Sequence, residues 1–199
     1  MPGPAGGRRA SYAERRARKA EVDDPAVVLE AAARFLEPRA RSVTEVRRRL
    51  TGAGYRSELI EGAIARMLEL GMLDDDAFAR AWVESRDRAH PRGERAIREE
   101  LARKGVDRAT LDLVLNERRE AVAGIRTDDG VMVTPDEAAA DRLIDRNARS
   151  LARIVDPRTR RQRAYALLAR NGFDPDICRI VAARVDGRSD ADDADGDQD

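Results

Sequence analysis

Arginine is the residue type in this chain whose placement most invites a chemical reading. Of the 38 basic residues, 36 are Arg and only Lys19 and Lys104 are Lys. They gather in runs at comparable places: Arg47, Arg48 and Arg49; Arg95, Arg98, Arg103 and Lys104, with Arg86 upstream; and Arg158, Arg160, Arg161 and Arg163. A guanidinium fork matches the paired oxygens of a phosphate or a carboxylate. A stripe of them would hold nucleic-acid phosphates or the acidic face of a protein filament. Codon usage biased towards Arg accounts for the same composition. Any single Arg is more simply read as part of a solvated helix face paired with Glu one turn away. Taken as a set they point to binding, and the candidate partner-binding residues are Arg47, Arg48, Arg86, Arg95, Arg98, Arg103, Lys104, Arg160, Arg161 and Arg163.

Other reactive side chains suggest no catalysis. Asp74, Asp75 and Asp76 lack the alternating ligands and terminal Glu of a calcium loop, so helix capping is the simpler role. Phe78 and Trp82 could stack on bases, but an i, i+4 aromatic pair in a core-poor helix is expected to be packing. His90 stands in a turn with no ligand set nearby, and Cys178 falls at an apolar position. No phosphate-binding Gly loop, zinc spacing or Ser-His-Asp order is present, so no catalytic residue, metal or cofactor is expected. One cysteine permits no internal disulfide, which fits a reducing compartment. No apolar run approaches the ~20 residues that span a bilayer. The Arg-rich N-terminus leads into Glu21, Asp23 and Asp24 with no apolar segment of a secretory signal, so the cytoplasm is the expected location.

The elements that must position these arginines are visible as an internal repeat. Leu50-Thr51-Gly52-Ala53-Gly54-Tyr55 is echoed by Leu101-Ala102-Arg103-Lys104-Gly105-Val106 and by Leu168-Ala169-Arg170-Asn171-Gly172-Phe173. Four residues before each Leu stand Val46, Ile97 and Ala164; five after the last apolar residue stand Ile60, Leu111 and Cys178. The i, i+4 pair is one apolar helix stripe. The Gly then ends that helix in the left-handed conformation other residues resist, and a second helix follows. Three residues before the repeat Leu, Arg47 and Arg98 are equivalent and Tyr165 replaces them.

A third helix precedes each pair. The first is expected over 25–37, with Val28, Leu29, Ala32, Phe35 and Leu36 apolar and Pro38 as its stop; Ser42 and Glu45 then form a capping box for the next helix. The second is expected over 75–88, capped by Asp74 or Asp75, with Phe78, Ala81, Trp82 and Ser85 as its stripe. The third is expected over 135–155, with Thr134 and Glu137 as its box, Pro135 at its first position, and Ile144, Ala148, Leu151 and Val155 as its stripe. Leu50, Gly54, Leu101, Gly105, Leu168, Gly172, Phe78 and Trp82 are thus the expected structural residues.

Aromatics at 4% and charged residues at 38% suit thin Leu, Ile, Val and Ala layers between helices better than one thick core. The expected fold is all-α: an elongated tandem array of three three-helix units over 24–71, 72–120 and 134–187. Residues 1–23 are expected to be a disordered basic tail, with room for a nascent helix over 11–21; residues 8–20 carry six basic side chains against Glu14. Residues 188–199 are expected to be a disordered acidic tail; from 186 onward there are seven Asp against Arg188. Between the second and third units, 121–133 is an insertion that reads equally as an Asp-Gly hairpin or a mobile linker.

The block Gly71-Met72-Leu73-Asp74-Asp75-Asp76-Ala77-Phe78-Ala79, followed by Trp82-Val83, Ser85-Arg86, Arg92-Gly93, Ile97, Leu101 and Lys104-Gly105-Val106, strongly resembles the RecX family. The resemblance covers about 26–118 and returns over Arg163 to Arg184, around Tyr165-Ala166-Leu167-Leu168-Ala169-Arg170-Asn171-Gly172-Phe173. It implies a helical protein of tandem three-helix repeats, cytoplasmic and without a catalytic site. Such a protein lies in the groove of the RecA–single-stranded DNA filament and restrains its ATPase, strand exchange and co-protease activity. RecA is then the expected partner, single-stranded DNA a second candidate, no membrane is involved and the chain is expected to be a monomer. The insertion and the charged tails depart from the family pattern and leave the placing of the third unit open. The residues by themselves also allow a helix-turn-helix protein that reads duplex DNA.

Overall fold

The computed structural model describes residues 11–122 and 133–186, and among these it is entirely helical. The helices are α1 (Tyr12–Ala20), α2 (Pro25–Leu36), α3 (Val43–Ala53), α4 (Ser57–Glu69), α5 (Asp75–Ala89), α6 (Glu94–Arg103), α7 (Arg108–Val122), α8 (Pro135–Ala152), α9 (Pro157–Arg170) and α10 (Pro175–Ala183). Most of the 121–133 insertion and the whole 188–199 segment lie outside the described residues.

Local chemistry explains where the helices begin. Ser42 Oγ accepts from the Glu45 N–H while Glu45 reaches back to the Ser42 N–H, closing the expected capping box of α3. Thr134 and Glu137 do the same for α8. Of the two candidates for α5, Asp74 is the cap, accepting from the Ala77 N–H at 2.8 Å. Asp107 caps α7 through the Thr110 N–H at 3.0 Å. Gly54, Gly105 and Gly172 all have positive φ, at 102°, 82° and 81°, as the repeat requires.

The repeated apolar positions form the core. Val46, Ile97 and Ala164 are fully buried, as are Leu101, Leu168 and Cys178, and Leu50, Tyr55, Val106, Phe173, Ile60 and Leu111 are nearly so. Two compact units result. One comprises Met1–Phe78 with Lys104–Val106, the other Ala79–Arg103 with Asp107–Asp199. In the first, α2 and α4 enclose Val28, Ala32, Ile60, Ile64 and Met67, with Val46 and Leu50 of α3. The core of the second includes a cluster from α8, α9 and α10, with Ala140, Ile144, Leu168, Phe173 and Val181.

Three expectations need correction. Residues 12–20 are a helix with its own capping box, Ser11 with Glu14, and not a disordered stretch; residues 1–10 are outside the described region. The buried residues of α5 are Phe78, Ala79 and Val83, whereas Ala81 and Ser85 are exposed and Trp82 is half-buried. Trp82 is polar-anchored instead, its indole N–H donating to Glu100 at 2.8 Å. In α8 the buried residues are Pro135, Ala139, Ala140, Ile144 and Leu151; Ala148 is exposed, and Val155 lies past the helix end at 89% exposure. Both stripe errors share a cause. A period of 3.6 fits several neighbouring apolar sets on one helix, and packing chooses among them.

Candidate partner-binding surface

The structure separates arginines engaged within the fold from those left exposed. Arg47 of α3 makes two bonds to Glu61 of α4, at 2.7 and 2.8 Å. At the equivalent place, Arg98 of α6 bonds Asp112 of α7 at 2.6 Å. The Arg47 hydrogen bond holds the Glu61 carboxyl below its ordinary range, and the Arg98 hydrogen bond does the same for Asp112. Both guanidinium groups are correspondingly held on the protonated side. The third repeat has Tyr165 and Arg179 at these places, so the clasp is lost there.

Arg86 is similarly engaged. It bonds Glu100 at 2.6 Å and lies 4.3 Å from the centre of the Trp82 ring. Lys104 donates to Glu45 at 3.1 Å, and its nitrogen is 5.7 Å from the Phe78 ring. Partial burial opposes ionisation of Glu45, but the hydrogen bonds from Lys104 and the Ser42 N–H, with the charges of Lys104 and Arg39, together outweigh it and leave the carboxyl lowered. Arg103 is loosely paired with Glu99 at 3.9 Å. Arg160 donates to the Ile154 carbonyl at 3.0 Å and lies 3.5 Å from Asp186, which Arg161 approaches to 3.1 Å. Arg95 and Arg163 are exposed and have no ion-pair partner among the described residues; Arg48 is exposed on α3.

Arg163 and Arg170 are seven residues apart on α9 and therefore share one face of it, where Arg170 is also exposed. With Arg158, also exposed, they are arginines of α9 that have no ion-pair partner among the described residues. Ion pairs at the surface contribute little to stability. The clasped arginines therefore act more as orientation devices than as a source of folding energy.

One residue that matters here was absent from the sequence reading. Arg118 of α7 is 7% exposed and bonds Asp87 of α5 at 2.9 and 2.8 Å and Asp136 of α8 at 2.6 Å. Burial works against its charge, but the Asp87 hydrogen bond and the two carboxylates keep the guanidinium ionised. The available signal was that Arg118 continues the spacing Leu111, Val114, Leu115, Arg118, a charge on the apolar side of its helix. It also lines a cavity of about 680 Å³ in the second unit, with Arg95, Arg98, Arg119 and Phe173 in its wall.

The Asp-rich block has a use that only the fold reveals. Asp75 accepts from the Val43 N–H, a free donor at the start of α3, at 2.9 Å. Asp136 accepts from the Glu94 N–H at the start of α6, also at 2.9 Å. Ser42 Oγ donates to the Lys104 carbonyl at 2.5 Å, and the Gly93 N–H donates to the Asn171 carbonyl at 3.1 Å. The start of each of these middle helices is thus a socket for the next repeat's acidic helix start and Gly turn.

Among the described residues, no group of three His, Cys, Asp or Glu side chains is placed to hold a metal, and no helix is long and apolar enough to cross a membrane. Cys178 is fully buried, and burial first, then Asp174, pushes its thiol up towards the protonated form.

Interlocked three-helix repeats with clasped arginines define the chain as a helical repeat protein. Comparison with known proteins places it more closely. Residues 29–67 match the family model described as the first three-helix domain of RecX, and residues 74–115 match its second three-helix domain. The Regulatory protein RecX of Mycobacterium sp. (strain JLS) is 31% identical over 148 residues, covering 74% of this chain and 75% of that one. That of Mycobacterium avium (strain 104) is 32% identical over 154 residues, 76% and 81% of the two chains. The chain belongs to the RecX family of regulatory proteins. The crystal structure of RecX from Lactobacillus salivarius, 20% identical, shares the fold with a TM-score of 0.64 over 82% of this chain and 97% of that one.

Proposed function

We propose that this chain is a non-enzymatic regulator that binds the RecA filament on single-stranded DNA in the cytoplasm. There it restrains ATP hydrolysis, strand exchange and co-protease activity, in control of recombination, repair and the SOS response. The observation that supports this most is family membership across three-quarters of the chain, extending through both matched three-helix domains. The exposed arginines of α9 that have no ion-pair partner among the described residues supply the kind of surface such docking requires, since several weak cationic contacts on linked repeats add through effective concentration. Occupying neighbouring filament subunits at once would hinder the rearrangements that accompany hydrolysis.

The test is to add the full chain, as a monomer, to RecA on single-stranded DNA and follow ATP hydrolysis. Hydrolysis should fall as the chain is titrated in, and the effect should weaken as salt is raised. Unchanged hydrolysis together with tight, sequence-specific duplex binding would sink the proposal in favour of a helix-turn-helix reader of DNA.

A further inference from the structure

Filament binding leaves the cavity of the second unit without a role. Its volume is about 680 Å³, and it is walled by the starts of α6, α8 and α10 and by Arg118 and Arg119 of α7. Most of the wall is apolar, from Val133, Pro135, Phe173, Pro175 and Ile177. The helix starts that meet here are already served. Thr134 caps α8, Asp174 caps α10, and Asp136 accepts from the Glu94 N–H at the start of α6. Bare helix ends are therefore not what a ligand would find.

The charges of the wall can be accounted for one by one. Arg98 bonds Asp112 at 2.6 Å, and Arg119 bonds Glu94 at 2.8 Å. Arg118 is held by Asp87 and Asp136. The three carboxylates of the lining are thus engaged: Glu94 by Arg119, Asp136 by Arg118, and Asp174 by the Asp176 N–H at 2.8 Å. Arg95 stands apart. It lines the cavity, has no ion-pair partner among the described residues, and is exposed, which sets it where the cavity meets solvent. A mostly apolar chamber with a single polar group to fix orientation is the form that small-molecule sites take, and this volume lies within their usual range. One side chain of a partner protein would leave most of it empty. A phosphodiester strand suits it poorly, since its phosphates would lose water against an apolar wall.

We propose that this cavity binds a small amphiphilic carboxylate, with its apolar body against Pro135, Phe173 and Ile177 and its carboxylate on Arg95. The guanidinium fork accommodates both carboxylate oxygens. The bound molecule touches both sides of the joint between the second and third repeats, where the Gly93 N–H meets the Asn171 carbonyl and the Glu94 N–H meets Asp136. It thereby holds the third repeat on the second, which is the position of an effector. The proposal goes beyond filament binding and does not rest on it.

The test titrates decanoate into the isotope-labelled full chain without RecA and follows backbone amide resonances by NMR. Gly172, in the cavity wall, should shift and saturate, while Gly54, in the first unit, stays still. Decanol at the same concentration should shift Gly172 far less, because it offers Arg95 no charge. Arg95→Gln should weaken decanoate binding about tenfold, the value of one hydrogen bond between charged groups, and leave the response to decanol unchanged. Ile177→Trp fills the cavity and should abolish the shift at Gly172. Thermal unfolding verifies the fold of both variants; should Ile177→Trp fail to fold, Pro175→Phe at an exposed position of the same wall replaces it. A Gly172 resonance indifferent to decanoate overturns the proposal. So do equal shifts by decanoate and decanol, or an undiminished affinity in Arg95→Gln, since the cavity would then take apolar matter without recognising an anion. Shifts at Gly54 that match those at Gly172 also overturn it, as the mark of a detergent acting on the whole surface. None of these outcomes depends on the RecA assay, whose failure would remove only the filament reading.

Discussion

The same joint is built twice in this molecule, from different chemistry. In the first unit, the start of α3 holds the second repeat's Gly turn through side chains: the Ser42 hydroxyl on the Lys104 carbonyl, and Thr44 against Gly105. In the second unit, the start of α6 holds the third repeat's turn chiefly through backbone: the Gly93 N–H on the Asn171 carbonyl, with Gly93 and Gly172 in direct approach, beside one side-chain bond from Arg92 to the Asn171 side-chain oxygen at 2.6 Å. In both, an Asp from the next repeat's leading helix takes a free N–H of the middle helix. What recurs is the contact, and the residue that makes it is free to change. One joint relies mainly on removable side chains, the other mainly on close backbone approach, and the two should fail differently.

The largest difference is expected for added methyl groups. A Cβ at Gly93 meets the Gly172 carbonyl carbon and oxygen and the Phe173 Cα, all backbone. Gly93→Ala should therefore cost about 3 kcal/mol, with no neighbouring truncation able to relieve it. The three atoms nearest a Cβ at Gly105 all belong to the Thr44 side chain. Gly105→Ala should cost a similar amount, but Thr44→Gly in the same chain should recover most of it. What remains would be the strain of a non-Gly residue at positive φ, about 1 kcal/mol. Urea unfolding measures all three variants. Rescue that fails at Gly105, or a harmless Gly93→Ala, would remove the distinction between the joints.

A smaller effect follows from Ser42. Its hydroxyl oxygen caps α3 and its proton satisfies the Lys104 carbonyl. Ser42→Ala should cost about 2 kcal/mol, combining a lost N-cap with an orphaned acceptor. At the second joint the backbone of Gly93 makes the equivalent bond, so that bond survives any single side-chain deletion there. A Ser42→Ala chain that melts with the parent would show that the first joint, too, rests on backbone.

The smallest effect concerns the clasps Arg47–Glu61 and Arg98–Asp112. Their carboxyls titrate below the ordinary range in the folded chain because of the Arg hydrogen bonds. A lowered folded pKa gives stability that is present above the unfolded pKa and is lost as pH falls through the folded one. Acid titration of stability should therefore steepen below about pH 5, and Arg47→Gln or Arg98→Gln should each flatten it. Tyr165→Phe, at the same place in the third repeat, should leave the acid limb unaltered. An acid limb unchanged by either Arg substitution would mean the clasps orient side chains without contributing to stability.

The repeat itself was legible because it rests on local rules. A Leu four residues after a small or apolar one and four before a Gly defines a helix end and its stripe. That spacing correctly located the burial of Leu50, Leu101, Leu168 and Cys178 and the positive φ of all three glycines. The capping boxes at Ser42 and Thr134 are equally local, confined to four residues.

The arginines were not legible in the same way. Which are engaged depends on carboxylates one helix away, 14 residues on for Arg47, Arg86 and Arg98, and on α1 folding back 40 residues to reach Gly52. The burial of Arg118 needed Asp87 and Asp136 from two other helices, and the roles of Asp75 and Asp136 needed a helix start from the preceding repeat. Charge and period determined that this is a repeat protein with cationic faces. Which cations the fold engages, and which it leaves exposed, was decided by long-range pairing. That pairing depends on the geometry of packed helices, and residue order along the chain does not carry it.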